Sequence, residues 1–168
     1  METSTQQNES VQSELTRRHK ATSTTVLALL IAVGLLCILA FVTKKFLPQQ
    51  NNPPLDIAVR ISILIFGLGA VALRRTKFAA MRLQDIASLK GASGLLITLQ
   101  RTTLQVALLG GFIAAMGFVA TLFTGNDFYT YGAGLVALAV LLYSYPVRSS
   151  WQKAVKKFSS PPDQEMNA

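Results

Sequence analysis

The side chains able to do chemistry are few and scattered. His19 is the single imidazole and Cys37 the single thiol, so a bis-histidine haem, a cysteine metal cluster and an intrachain disulfide are all excluded. Of the eight carboxylates, Glu2, Glu9, Glu14, Asp163 and Glu165 lie towards the chain ends, and Asp127 stands alone in a loop. Asp85 follows Arg82 by three residues and Asp56 precedes Arg60 by four, spacings that bring acid and base to one helix face. No two carboxylates share an apolar segment, where a proton relay or a cation-coupled carrier would place them. Gly91-Ala92-Ser93-Gly94 is too short for a phosphate loop and lacks a following Lys-Ser or Lys-Thr, and Ser93 has no base to activate it. These residues predict a protein that is not an enzyme and uses no cofactor and no metal.

The net charge of +8, from sixteen Lys and Arg against eight Asp and Glu, would in a soluble protein raise the question of nucleic acid. Charged residues, however, are only 14% of the 168 and apolar ones 51%, where an average soluble domain is roughly a quarter charged. The apolar residues come in blocks: 21–43, 61–73, 102–126 and 128–147 contain no Asp, Glu, Lys, Arg or His. Three of these reach the ~20 residues that cross a bilayer's hydrocarbon core. A secreted disulfide scaffold, a soluble globular enzyme and a disordered chain are thereby excluded. With no compact basic domain and no RNA-binding aromatic motif, the positive charge is expected to meet anionic lipid headgroups and no nucleic acid.

The elements that position these groups are therefore expected to be membrane helices. The reading is an all-α, integral membrane four-helix bundle, with spans near 22–42, 55–73, 104–123 and 129–146. Residues 1–20 and 159–168, polar and poor in anything to bury, read as disordered tails. The apolar stretch behind Arg17, Arg18 and Lys20 is too long for a cleavable signal, and Leu36 stands where a lipoprotein site needs a small residue. Lys44, Lys45, Pro48 and the polar run that follows end span one. Span two reaches full length only with Asp56 and Arg60 at its mouth, Arg60 reaching toward the headgroups. The functional alternative places Arg60 and Gln105 on a solute path.

Between spans two and three, residues 74–101 carry Ala79, Leu83, Ile86 and Ala87 at helical spacing without a proline. Span two is expected to continue as a helix to Lys90, stop at Gly91, and restart with Ser93 as N-cap. The result would be a helical hairpin with its tip at 91–94, reaching on the order of 25 Å beyond the bilayer at 1.5 Å per residue. In span three, Ala107, Gly111 and Ala115 recur every four residues beside Gly110 and Ala114, forming a seam of small residues along which backbones approach closely. Gly132, Ala133, Gly134 and Ala137 make span four the favoured partner, and the short connection forces the two to be antiparallel. Thr98, Gln100, Thr102, Thr103 and Gln105 at the start of span three are read as interhelical hydrogen-bonding groups.

Val147, Trp151, Ala154, Val155 and Phe158 make an apolar stripe on a basic segment, 148–158, read as an amphipathic helix in the membrane interface. Arg74, Arg75, Lys77, Arg148, Lys153, Lys156 and Lys157 are the expected anionic-lipid contacts. Basic residues crowd the N-terminal flank, the middle loop and the C-terminal flank, whereas the other loops hold only Lys44 and Lys45. Both termini are therefore expected in the cytoplasm, most simply at a cell membrane. The function expected is that of an accessory or scaffold subunit whose hairpin meets a membrane-protein partner or a second copy. A small channel or carrier for an uncharged or anionic solute is the alternative.

Overall fold

Leu, Ile, Val and Ala dominate the apolar blocks, and in a medium without water their backbone groups can be satisfied only within a helix. A computed structural model, which describes residues 2–47, 53–78 and 80–159, is accordingly all-helical. Its elements are α1 (Glu2–Thr43), α2 (Pro53–Lys77), α3 (Ala80–Thr124), α4 (Phe128–Ser144) and α5 (Arg148–Ser159). Segments Val11–Thr43, Pro53–Lys77 and Gly91–Thr124 are long and apolar enough to cross a membrane, and α4 is a shorter apolar helix of 17 residues. These mark an integral membrane protein.

Gly117 lies against Tyr129 and Ala133 while Gly110 lies against Val140 and Leu141, so α3 and α4 run antiparallel along their length. Helix α3 also packs on α1, α2 and α5, whereas among the described residues no Cα of α1 comes within 8 Å of one in α2. The α3–α4 pair is thus the centre, with α1 and α2 on its two flanks. Val26, Val33, Ile63, Ala107, Ile113, Ala114, Ala133, Ala137 and Leu141 form the central core. The large apolar residues of the outer faces, such as Ile38, Leu64, Leu68 and Leu135, are exposed, which is the pattern of a lipid-facing surface.

The small-residue seam lies within the chain, and its glycines face both neighbours. A Cβ on Gly110 would meet Leu141 at 3.1 Å, and one on Gly111 would meet Leu29 of α1 at 3.1 Å. Ala107 and Ala114 are buried, but Ala115 is exposed and is no part of the seam. The tightest approach, Gly117 on Ala133 and the Tyr129 carbonyl, was not among the expected seam positions. Beside it Thr121 and Thr130 share a 2.7 Å hydroxyl contact, while Thr121 Oγ1 donates to the Asn126 carbonyl at 3.0 Å and accepts from the Thr130 N–H. Asn126 Oδ1 accepts from the Phe128 N–H at 3.1 Å, an Asx turn that leads the chain into α4.

Three expectations need correction. The polar N-terminal segment is not a disordered tail: α1 runs from Glu2, and Leu15 is 1% exposed. Span two does not continue as one helix to Lys90, because α2 ends at Lys77 and α3 begins at Ala80. The stop at Gly91 is present as a kink inside α3, with φ of 64°, a left-handed conformation that costs glycine nothing sterically. Ser93 does not cap a new helix; its hydroxyl donates to Glu14 Oε1 at 3.2 Å. Residues 160–168 of the expected C-terminal tail lie outside the described residues.

Gly117→Ala is expected to destabilise the protein by about 1–3 kcal/mol, the usual cost of overpacking, in spite of alanine's higher helix propensity. Gly69→Ala, with nothing within 4 Å of the added Cβ, is the matched control and should be neutral to stabilising, by up to about 1 kcal/mol from helix propensity. Thermal unfolding of both variants in one detergent checks this.

Candidate functional site

The polar and charged side chains gather at two ends of the bundle. At the end holding the 124–128 turn, Arg60 and Lys44 are each paired with an aspartate. Arg60 Nε donates to Asp56 Oδ1 at 3.0 Å, as the spacing predicts, and the Tyr129 hydroxyl donates to the same carboxylate oxygen. The Arg60 guanidinium also lies 5.6 Å from the Phe128 ring centroid, with its side chain 57% exposed. Asp127 is not alone: Lys44 Nζ reaches its Oδ2 at 3.0 Å, tying the α1 end to the α3–α4 turn. That link joins positions 83 residues apart, which no local spacing could reveal.

The expected solute path is not assembled. Gln105 is exposed on the outer face of α3 with Leu108 and Phe112, while Arg60 is held by Asp56 near the other end of the bundle. Neither lines the two cavities that open at the basic end. Of the polar group on early α3, Thr98 and Thr103 donate to their own helix carbonyls at Gly94 and Leu99. Gln100 carries a bond across helices, its Oε1 accepting from Arg18 Nη1 at 2.7 Å.

The opposite, basic end is where α1, α3, α4 and α5 lock together. Leu15, Leu95, Leu96, Leu99 and Trp151 form a second buried cluster, with Phe78 packed on it. Around it, Arg18 Nε bonds Glu14 Oε1 at 2.8 Å, and His19 Nε2 meets the Pro146 carbonyl at 2.9 Å. Since a carbonyl only accepts, His19 carries its proton on Nε2 in this contact. The His19 ring stands edge-on to Trp151 at 5.8 Å, and Ser23 shares a 3.0 Å hydroxyl contact with Tyr145. Trp151, expected to sit in the lipid interface, is instead 4% exposed inside this cluster. Val147, on the same predicted stripe, is 53% exposed, so α5 docks on the bundle through its tryptophan.

The expected lipid-contacting cations divide. Arg75, Arg148 and Lys153 are exposed and Lys77 is intermediate, while the side chains of Lys156 and Lys157, like Arg82 of the expected Arg82–Asp85 pair, lie outside the described residues. Arg74 is different. Its guanidinium lies 4.1 Å from the Tyr143 ring centroid and 5.6 Å from that of Phe78. Its Nη1 is buried with no hydrogen-bond partner among the described residues, and a buried unpaired donor ordinarily costs ~1–3 kcal/mol. The sequence marks Arg74 only as a basic residue at a span end; that aromatic rings would cover it depends on where α4 places Tyr143.

Two cavities open at this end. One of about 340 Å³ is lined by Thr16, His19, Lys20, Ser23, Thr24 and Arg148. The other, about 150 Å³, lies against Arg74, between α2, α3 and the α4–α5 junction, with Thr103, Tyr145, Ser150 and Trp151 in its wall. Among the described residues no three His, Cys, Asp or Glu side chains gather in a way that could hold a metal ion. What this end offers chemically is hydrogen-bond donors and positive charge. No protein-family model, curated protein or solved structure matches this chain.

Glu14 precedes the charge-free block 21–43 and so stands outside the apolar part of α1. The hydrogen bond from Arg18 holds its carboxyl below the ordinary 4.5; partial burial opposes this, and the Ser93 hydroxyl and the charges of Arg18 and Arg17 add to it. A carboxyl whose folded pKa is depressed stabilises the fold fully above its unfolded value, and that contribution is lost as pH falls through the folded one. Acid titration followed by fluorescence of Trp151, the single tryptophan, should show the basic end loosening below pH 4.5, a step that Glu14→Gln removes. Leu15→Ala should cost about 2–5 kcal/mol, the range for a buried leucine, and expose residues 11–20 to protease.

Proposed function

We propose that this chain is a small non-enzymatic multi-pass membrane protein, an accessory or scaffold subunit that meets a partner protein or a second copy through the 74–101 region. The observation that carries the reading is the arm of α3 before the Gly91 kink. There Gln84, Asp85 and Ser88 are exposed, and Leu89, at 83%, is the most exposed large apolar side chain among the described residues. That arm precedes the membrane-length segment Gly91–Thr124, so lipid contact does not account for Leu89 as it does for the exposed residues of the spans.

In this reading α4 is a fourth span. At 1.5 Å per residue its 17 residues cover about 25 Å, the non-helical stretch 145–147 extends it, and its antiparallel packing along α3 supports the assignment. The chain then crosses four times, and the contacts of His19 with Pro146 and of Arg148 with Thr16 support both termini lying on one side. The concentration of Arg and Lys there favours the cytoplasmic side of a cell membrane, where Arg75, Lys77, Arg148 and Lys153 meet anionic headgroups.

Extraction of the full chain into nanodiscs from its native membrane, with the particle's mass measured, tests the function. A stoichiometric partner or a dimer that Leu89→Asp disperses is the expected result. A particle holding one copy of this chain alone, unchanged by Leu89→Asp, overturns the scaffold reading and turns attention to a channel or carrier. For topology, Ser88→Cys in a Cys37→Ala background should react with an impermeant thiol reagent only in inverted vesicles; labelling of intact cells overturns it.

A further inference from the structure

The aromatic contacts of Arg74 satisfy only part of a guanidinium's bonding capacity. A ring face attracts the positive charge through its quadrupole, but it does not replace an oxygen acceptor in the plane of the N–H bonds. The Nη1 donors are covered by protein yet have no acceptor among the described residues. Arg74 is part of the wall of the cavity of about 150 Å³, which is below the roughly 300–1,000 Å³ of small-molecule pockets. At ~30 Å³ per water it holds the equivalent of about five waters, space for one compact oxyanion group. In the rest of the wall Ser150 brings a hydroxyl and Trp151 an apolar face, while the hydroxyls of Thr103 and Tyr145 are engaged by the Leu99 carbonyl and by Ser23. Among the described residues no carboxylate lines the cavity.

We propose that this cavity is a binding site for a single phosphate group, with Arg74 as its principal ligand. A planar guanidinium matches phosphate oxygens in geometry and in charge, and basic recesses between membrane helices at the headgroup level are suited to phospholipid phosphates. The site differs from diffuse attraction by exposed lysines and arginines because the recognising cation is fixed under Tyr143 and Phe78. It stands whether or not a protein partner engages the 74–101 region.

Trp151, the single tryptophan, is a built-in reporter in the cavity wall. The full chain is placed in phosphatidylcholine nanodiscs containing increasing fractions of phosphatidylglycerol, and separately titrated with inorganic phosphate against chloride at equal ionic strength. A saturable change in Trp151 emission is expected. A response to phosphatidylglycerol alone assigns a headgroup phosphate, and a response to inorganic phosphate as well assigns a site open to free phosphate. Arg74→Gln should weaken the response about tenfold to a hundredfold, the loss expected for a charged hydrogen bond, whereas Arg75→Gln, at an exposed neighbour, should leave it within about twofold. Arg74→Met gives the same test with a side chain that buries without an unpaired donor. Absence of saturation with both probes, or equal weakening by Arg74→Gln and Arg75→Gln, overturns the proposal.

Discussion

Helix α3 touches every other helix of the bundle, and it can do so only because its side chains are small where its neighbours come closest. Between helices in lipid the surrounding chains are as apolar as leucine, so association depends on close van der Waals packing more than on removal from water. Gly110 and Gly117 let α4 approach, and Gly111 admits Leu29 of α1. On the two flanks of α4, Gly67 of α2 accommodates Val136, and Gly134 accommodates Cys37 of α1. The central pair is thus narrow, and α1 and α2 reach its flanks with their described backbones more than 8 Å apart. The outer faces of these helices keep large apolar side chains exposed, as a lipid-facing surface does.

Helix α1 shows how one packing face can serve two environments. Leu15, Thr22, Leu29 and Leu36 recur every seven residues, with Val26, Val33 and Ala40 four positions after the middle and later members. These residues are buried or packed on buried ones, so a single stripe runs from the polar segment through the apolar one. A seven-residue repeat of this kind keeps one seam against a neighbouring helix. Leu15 therefore extends the α1–α3 contact beyond the apolar block, and the polar residues around it, Glu14, Arg18 and His19, become interhelical ties.

Charge-free length made the apolar helices legible, and local spacing made the Asp56–Arg60 pair, the Gly91 break and most of the α3 seam legible. What stayed hidden has a common physical cause. The composition of residues 1–20 is that of a disordered segment, and a single leucine in it carries little weight until a seven-residue register links it to Thr22, Leu29 and Leu36. Gly117 lies beyond the recognised repeat and gains its importance from the path of α4. The Lys44–Asp127 pair, the Arg18–Gln100 bond and the aromatic cover of Arg74 join residues distant in sequence, so they exist only once the helices are packed. Gln105 illustrates the reverse: its polarity in an apolar helix suggests a role inside the bundle, but the helix turns it outward.

The two ends of the bundle are built on different electrostatic terms. Where α3 turns into α4, Arg60 has Asp56, Lys44 has Asp127, and the threonines satisfy one another and the backbone of the turn. At the basic end Glu14 is the carboxylate that engages the bundle, and it is taken by Arg18 and Ser93. Arg74, Arg75, Lys77, Arg148 and Lys153 make no salt bridge among the described residues. Exposed cations of that set are satisfied by water or by a membrane surface at little cost. A guanidinium nitrogen enclosed by protein has no such recourse, and the aromatic rings beside Arg74 compensate its charge without accepting its hydrogens. The asymmetry of the molecule thus converges on one group whose bonding is incomplete among the described residues, and it stands beside a cavity in which the charge of Arg74 favours an anionic oxygen.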